Sequence, residues 1–100
     1  MLTHVVMFRL KDRQPEAVAA AKARLAGLDG EIPSLRSIEL GEDILHSGRS
    51  YDLVLIARFD DLAGLESYQA HPVHVPVQAY LREACESIIA VDYTGPGERR

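Results

Sequence analysis

The chain has 100 residues, nearly half of them apolar, with one cysteine, four histidines and a formal net charge of -4. That length fits one compact domain, which buries roughly 60–70% of its unfolded surface, and an acidic balance with no Lys/Arg cluster excludes a nucleic-acid footprint, which needs a basic stripe. The lone Cys85 excludes an internal disulfide and fits a reducing compartment; with no leader pattern and no apolar run of about 18 residues, the chain reads as a cytoplasmic protein without a membrane partner.

Thr3 to Leu10 is β-branched, aromatic and apolar and ends at Lys11-Asp12-Arg13, which predicts a strand followed by a polar loop. Pro15 suits a first helical position, and Val18, Ala21, Leu25 and Leu28 recur at helical spacing up to Asp29-Gly30, where glycine can end the helix. Leu35 to Leu40 alternates weakly into a second strand, followed by a loop through Ser50. Tyr51 to Phe59 is the strongest strand, and Asp60-Asp61 offers an N-cap for a helix from Leu62 to Ala70. His71 precedes Pro72, whose ring disfavours the α conformation before it, so that helix stops and the chain turns. Pro76 can start the next helix, with Val77, Tyr80, Leu81, Ala84 and Ile88 on one face, and Ser87 to Tyr93 reads as a last strand. Gly95 to Arg100 is a polar tail expected to be flexible, leaving residues 1–94 as the domain.

The order β-α-β-β-α-β predicts an α+β, ferredoxin-like protomer: a four-stranded antiparallel sheet with its helices on one face. In the third strand Leu53, Leu55, Ala57 and Phe59 share one face while Val54 and Ile56 share the other; His4, Val6, Phe8 and Leu10 similarly oppose Val5 and Met7. Antiparallel sheets with one wet face normally alternate apolar and polar residues. Helices cover only one side, so a homodimer pairing two sheets face to face is the simplest way to bury the second.

The segment Tyr68-Gln69-Ala70-His71-Pro72-Val73-His74 concentrates a phenol and two imidazoles around a proline. Imidazole exchanges protons near neutral pH, and a phenol can donate to a carbonyl or developing enolate oxygen. The same residues also fit a helix break with polar caps. In the expected topology the end of the last strand, Asp92, lies beside the start of the first, His4, and Tyr68 and His74 approach the same end of the sheet. Asp92 and His4 share faces with Ile88 and Ala90 and with Val6 and Phe8, so the four polar residues are expected to line one cavity.

Thr3-His4-Val5-Val6-Met7-Phe8-Arg9-Leu10-Lys11, Ser50-Tyr51-Asp52-Leu53-Val54-Leu55, and Tyr68 through His74 followed by Val91-Asp92-Tyr93 together resemble the stress-responsive dimeric α/β-barrel (Dabb) family over nearly the whole chain. The resemblance implies a dimeric α/β barrel. That family includes a plant polyketide cyclase forming olivetolic acid, in which a tyrosine and a histidine flank the substrate with the spacing of Tyr68 and His74. It also implies that Asp92 orients the histidine and that His4 lines the pocket. His74, Tyr68 and Asp92 are thus the candidate catalytic residues, and His4, Val6, Phe8, Leu55, Ala57, His71, Ile88 and Ala90 the candidate ligand-binding residues. Helix one departs from the cyclase: its Ala17, Ala19, Ala20, Ala21 and Ala23 stand where aromatic side chains line the cyclase tunnel.

Two functions stay open on these residues. One is the binding of a small apolar, aromatic or keto ligand between sheet and helices. The other is a cofactor-independent acid-base enzyme of the cyclase or isomerase type, with His74 as base and Tyr68 as donor. A zinc reading would draw on His71, His74, His4 and Asp92, but Pro72 spoils the regular helical spacing and no second His- or Cys-rich element exists, so no metal and no cofactor are expected. Tyr51 and Tyr80 read as packing aromatics, His46 as a solvated loop residue, and Arg9 and Arg58 as charges at odd positions in apolar strands.

Overall fold

A computed structural model describes residues 1–95. The elements are β1 (Leu2–Leu10), α1 (Pro15–Ala26), β2 (Ser37–Glu42), β3 (Leu53–Phe59), α2 (Leu62–Ala70), α3 (His74–Ala84) and β4 (Cys85–Thr94). The strands form one antiparallel sheet in the order β2-β3-β1-β4. This is the ferredoxin-like arrangement, with the second helical stretch broken in two at Pro72. Among the described residues no helix is long and apolar enough to cross a membrane. Of the expected tail, only Gly95 is described, its N–H donating to the Met1 carbonyl at 3.1 Å; residues 96–100 lie outside the described residues.

Several boundaries differ from those the sequence predicts. α1 ends at Ala26, four residues before Gly30, and the chain continues through tight turns in which Leu28, Asp29 and Glu31 each donate three residues back. Turns of that pitch keep Leu28 facing inward, fully buried, which is why the helical spacing outlasts the helix. Gly30 has φ +80, as a glycine closing such a turn can. β2 lies two residues later than its own pattern predicts, because its limits follow its pairing from Ser37↔Arg58 to Glu42↔Leu53. α3 starts at His74, two residues before Pro76. A proline in the first turn costs no helical hydrogen bond, since the first four N–H groups have no intrahelical acceptor. Ile88 belongs to β4 and not to the helix face.

The helix-facing side of the sheet carries Val6, Phe8 and Leu10 from β1 and Leu53, Leu55, Ala57 and Phe59 from β3, all buried. α1 supplies Val18, Ala21 and Leu25, α2 supplies Leu65 and Tyr68, and α3 supplies Val77 and Leu81. Each such aliphatic side chain contributes at most about 1.5–3 kcal/mol by burial. Asp61 caps α2 by accepting from the Gly64 N–H at 2.9 Å. A buried polar tie holds the far end of the sheet: the Asp52 carboxylate accepts from Leu10 N at 2.9 Å and from Arg13 Nε at 2.9 Å. α3 passes into β4 without a loop, and β4 carries an extra residue, Glu86, where the register with β1 shifts between Arg9↔Ser87 and Leu10↔Cys85. Arg9 donates to that Glu86 at 2.8 Å, so its charge is neutralised within the chain.

The opposite side of the sheet is apolar as well. Met7 is 38% exposed, Ile89 44%, Val91 61% and Tyr93 48%, with Val5, Val54 and Ile56 partly exposed between them. His46 is exposed in the loop before β3, where it holds φ 55. Its N–H donates to Asp43 at 2.6 Å, a side-chain turn that tolerates this conformation.

Candidate functional site in a cavity beside the last strand

Between the sheet and α3 lies a cavity of about 320 Å³. Its floor is His4, Val6 and Phe8 of β1 with Leu55 of β3, and its outer wall is Ile88 and Ala90 of β4. Tyr68 and Gln69 close one end, while His74, Gln78, Leu81 and Arg82 form the α3 side, with Leu25 of α1 behind. The volume falls within the range of small-molecule sites, roughly 300–1,000 Å³, and the lining is largely apolar with a few polar groups, as in such sites.

The sequence places Tyr68 and His74 at one corner because Pro72 stops α2. His71 ends α2 with φ -66 and ψ 138, and two N–H groups, of His74 at 2.9 Å and Val75 at 3.1 Å, donate to its carbonyl as α3 begins. The turn brings the Tyr68 and His74 rings to a centroid separation of 4.3 Å at 45°. Tyr68 also packs on Phe59 at 4.9 Å and meets His4 edge-on at 6.2 Å.

Tyr68 is 1% exposed. Burial pushes its hydroxyl up to about 12, so the group remains a protonated donor throughout the physiological range. His74 is half-buried, and that burial holds its pKa below the usual 6.5; a hydrogen bond to the Gln69 carbonyl opposes the shift, and the charges of His4 and His71 reinforce it. Its Nδ1 lies 3.3 Å from that carbonyl oxygen, which can only accept, so Nδ1 carries the proton and Nε2 is left as a lone pair.

Asp92 is partnered with His4. The two face each other directly across β1 and β4, and the His4 Nδ1–H donates to the Asp92 carboxylate. The expected bond from Asp92 to His74 is thereby corrected: strand register puts the carboxylate opposite His4, while His74 sits in the helical layer and takes its orienting bond from a backbone carbonyl. Of the other candidate residues, His4, Val6, Phe8, Leu55, Ile88 and Ala90 line the cavity. Ala57 does not, being fully buried in the core, and His71 does not, its Nδ1 accepting from the Val73 N–H at 3.1 Å. Among the described residues no group of three or more His, Cys, Asp or Glu side chains converges as a metal site.

Gln69, Gln78 and Arg82 also line the cavity and were not singled out by the sequence reading. For Gln78 and Arg82 the signal is the spacing His74, Gln78, Arg82, which becomes a single stripe once α3 is known to start at His74.

The chain is 33% identical over 96 residues to an uncharacterized protein of Streptomyces coelicolor, covering 93% of this chain and 98% of that one. It is 23% identical over 94 residues to olivetolic acid cyclase of Cannabis sativa, covering 91% and 93%. Among solved structures, a dimeric ferredoxin-like protein of unknown function from Thermobifida fusca superimposes with a TM-score of 0.83 at 27% identity, over 94% of this chain and 90% of that one. The model of the stress responsive A/B barrel domain matches residues 2–95, and the chain belongs to that family.

Proposed function

We propose that the protein acts as a homodimer, paired through the outer face of its sheet, and binds a small apolar or aromatic ketone in the cavity between sheet and helices. The observation that carries this reading is the cavity itself: a largely apolar space with Tyr68, His74 and His4 among the polar groups that line it. The exposed Met7, Ile89, Val91 and Tyr93 support the dimer, because a patch of this kind on a lone protomer favours association. The dimeric Thermobifida relative supports it further. A buried, unpaired Cys85 fits action in the cytoplasm.

A second reading, favoured by the state of His74, is a cofactor-independent acid-base enzyme. Its neutral imidazole with a bare Nε2 is a base at neutral pH, and Tyr68 beside it is a donor. His74 takes a proton from the carbon next to the ligand's carbonyl, while the Tyr68 hydroxyl donates to the oxygen where charge develops. The resulting enolate carbon either regains a proton at a new position or attacks a second carbonyl, as in an aldol-type cyclisation. His4, held by Asp92, presents its other ring nitrogen as a fixed polar wall. Olivetolic acid cyclase in the same family supports this class of chemistry.

One probe tests both readings. 4-Methylacetophenone in D₂O, followed by NMR, should perturb the resonances of Tyr68, His74 and Ala90 on binding. If His74 is a base, the acetyl hydrogens exchange for deuterium, and His74→Ala slows that exchange about 10²- to 10⁴-fold. The rate should fall on acidification as His74 protonates, with the midpoint below the usual 6.5. Binding without protein-dependent exchange leaves a binding protein; no binding removes the cavity reading. A monomer by sedimentation at micromolar concentration removes the dimer.

A further inference from the structure

α3 presents a stripe to the cavity: His74, then Gln78, then Arg82, each four residues on. Successive members rise by about 6 Å along the axis, and side chains on a helix lean toward its N-terminus, so all three reach into the same cavity. The stripe is graded, from a neutral base beside the phenol, through an amide, to a guanidinium at the exposed mouth.

Arg82 is uncommitted. Arg9, Arg13 and Arg36 are held by Glu86, Asp52 and Asp60, and the Arg24 guanidinium lies 4.3 Å from the centroid of the Tyr80 ring. Arg82 has no acidic partner among the described residues. Asp92, a carboxylate on the neighbouring strand, is engaged by His4. An arginine without a carboxylate at the mouth of an otherwise apolar cavity is a ready anion partner, because its planar fork matches a carboxylate in two parallel hydrogen bonds.

We infer that the ligand of this cavity is a keto acid, its carbonyl end set between Tyr68 and His74 and its carboxylate at Arg82, with Gln78 spanning the middle. This rests on the reading of the cavity as a ketone-binding site and adds the ligand's charge and its direction along α3. Arg82 acts here as a specificity-determining residue, remote from the proton that moves.

The test compares two probes of nearly equal shape, 4-acetylbenzoate and its neutral counterpart 4-acetylbenzamide, titrated into the full chain at low salt. The benzoate should bind about three- to fivefold more tightly, the scale of an exposed ion pair, and the preference should shrink as salt is added. In Arg82→Gln the ratio of the two affinities should fall to about one, and in Arg82→Lys part of the preference should return. A melting-temperature comparison shows that the variants fold, which the exposed position of Arg82 favours. Equal affinities in the unaltered protein, or a preference that persists in Arg82→Gln, overturn the inference while leaving the ketone site standing. If neither probe binds, the ketone site falls and this inference with it.

Discussion

β3 and β4 flank the same central strand, and their helix-facing residues share the same parity, yet they meet opposite surroundings. Leu53, Leu55, Ala57 and Phe59 of β3 are at most 2% exposed, whereas Ile88 of β4 is 40% exposed and Ala90 is open beside it. The difference is one of cover: α1 packs toward β2 and α2 toward β3, while α3 feeds straight into β4 and leaves a space above it. An apolar strand face states only a demand for cover. Whether that demand produces core or cavity is decided by where the helices lie.

The sharpest way to probe the contrast is to remove bulk from the closed half. Phe59→Ala should cost about 3–5 kcal/mol in urea unfolding, since close-packed surroundings cannot collapse onto the void. A loss below about 1 kcal/mol would mean that this half is no better packed than the cavity. The junction between the halves gives the next effect, through Tyr68. Its folded pKa is raised above the unfolded value, so the unfolded chain ionises first and stability is lost as pH rises from about 10 to 12. The loss should amount to about 2–3 kcal/mol and should be absent in Tyr68→Phe, compared by denaturant unfolding at pH 9 and pH 12. The smallest effect belongs to the open half. Ala90→Phe should alter stability by no more than about 0.5 kcal/mol while filling the cavity and abolishing ketone binding. If it destabilises as strongly as Phe59→Ala, the space beside β4 is core.

Much of this contrast was legible in the residues. Parity along Thr3 to Leu10 and Tyr51 to Phe59 identifies the two apolar faces, and Pro72 marks the break that brings Tyr68 against His74. What sequence could not supply was long-range pairing. Topology alone puts Asp92 beside His4, but that its carboxylate bonds this imidazole and not His74 follows from the residue-by-residue β1–β4 register, which includes a bulge with no local signature. β2 was misplaced because Glu39, Gly41 and Glu42 are poor strand formers held in place by β3. Gln78 and Arg82 do not stand out in the sequence because Pro76 marks a helix start there, which removes His74 from their stripe. Asp52 was overlooked as a buried tie because its partners, Leu10 and Arg13, are distant in the chain.

The extra residue at Glu86 has a consequence for the whole of the last strand. Side chains of a strand alternate between faces, so the count of residues after the bulge assigns each one to the cavity or to the outer surface. With Glu86 in place, Ile88, Ala90 and Asp92 fall on the cavity side and Ile89, Val91 and Tyr93 on the other. Were β4 to pair without the bulge, with Glu86 opposite Arg9 and every later residue slipped by one, the two sets would exchange, stripping His4 of its carboxylate and turning that acid outward onto the apolar surface. The cavity wall and the apolar outer surface are therefore written on opposite phases of one strand, and a single bulge sets which residues belong to each.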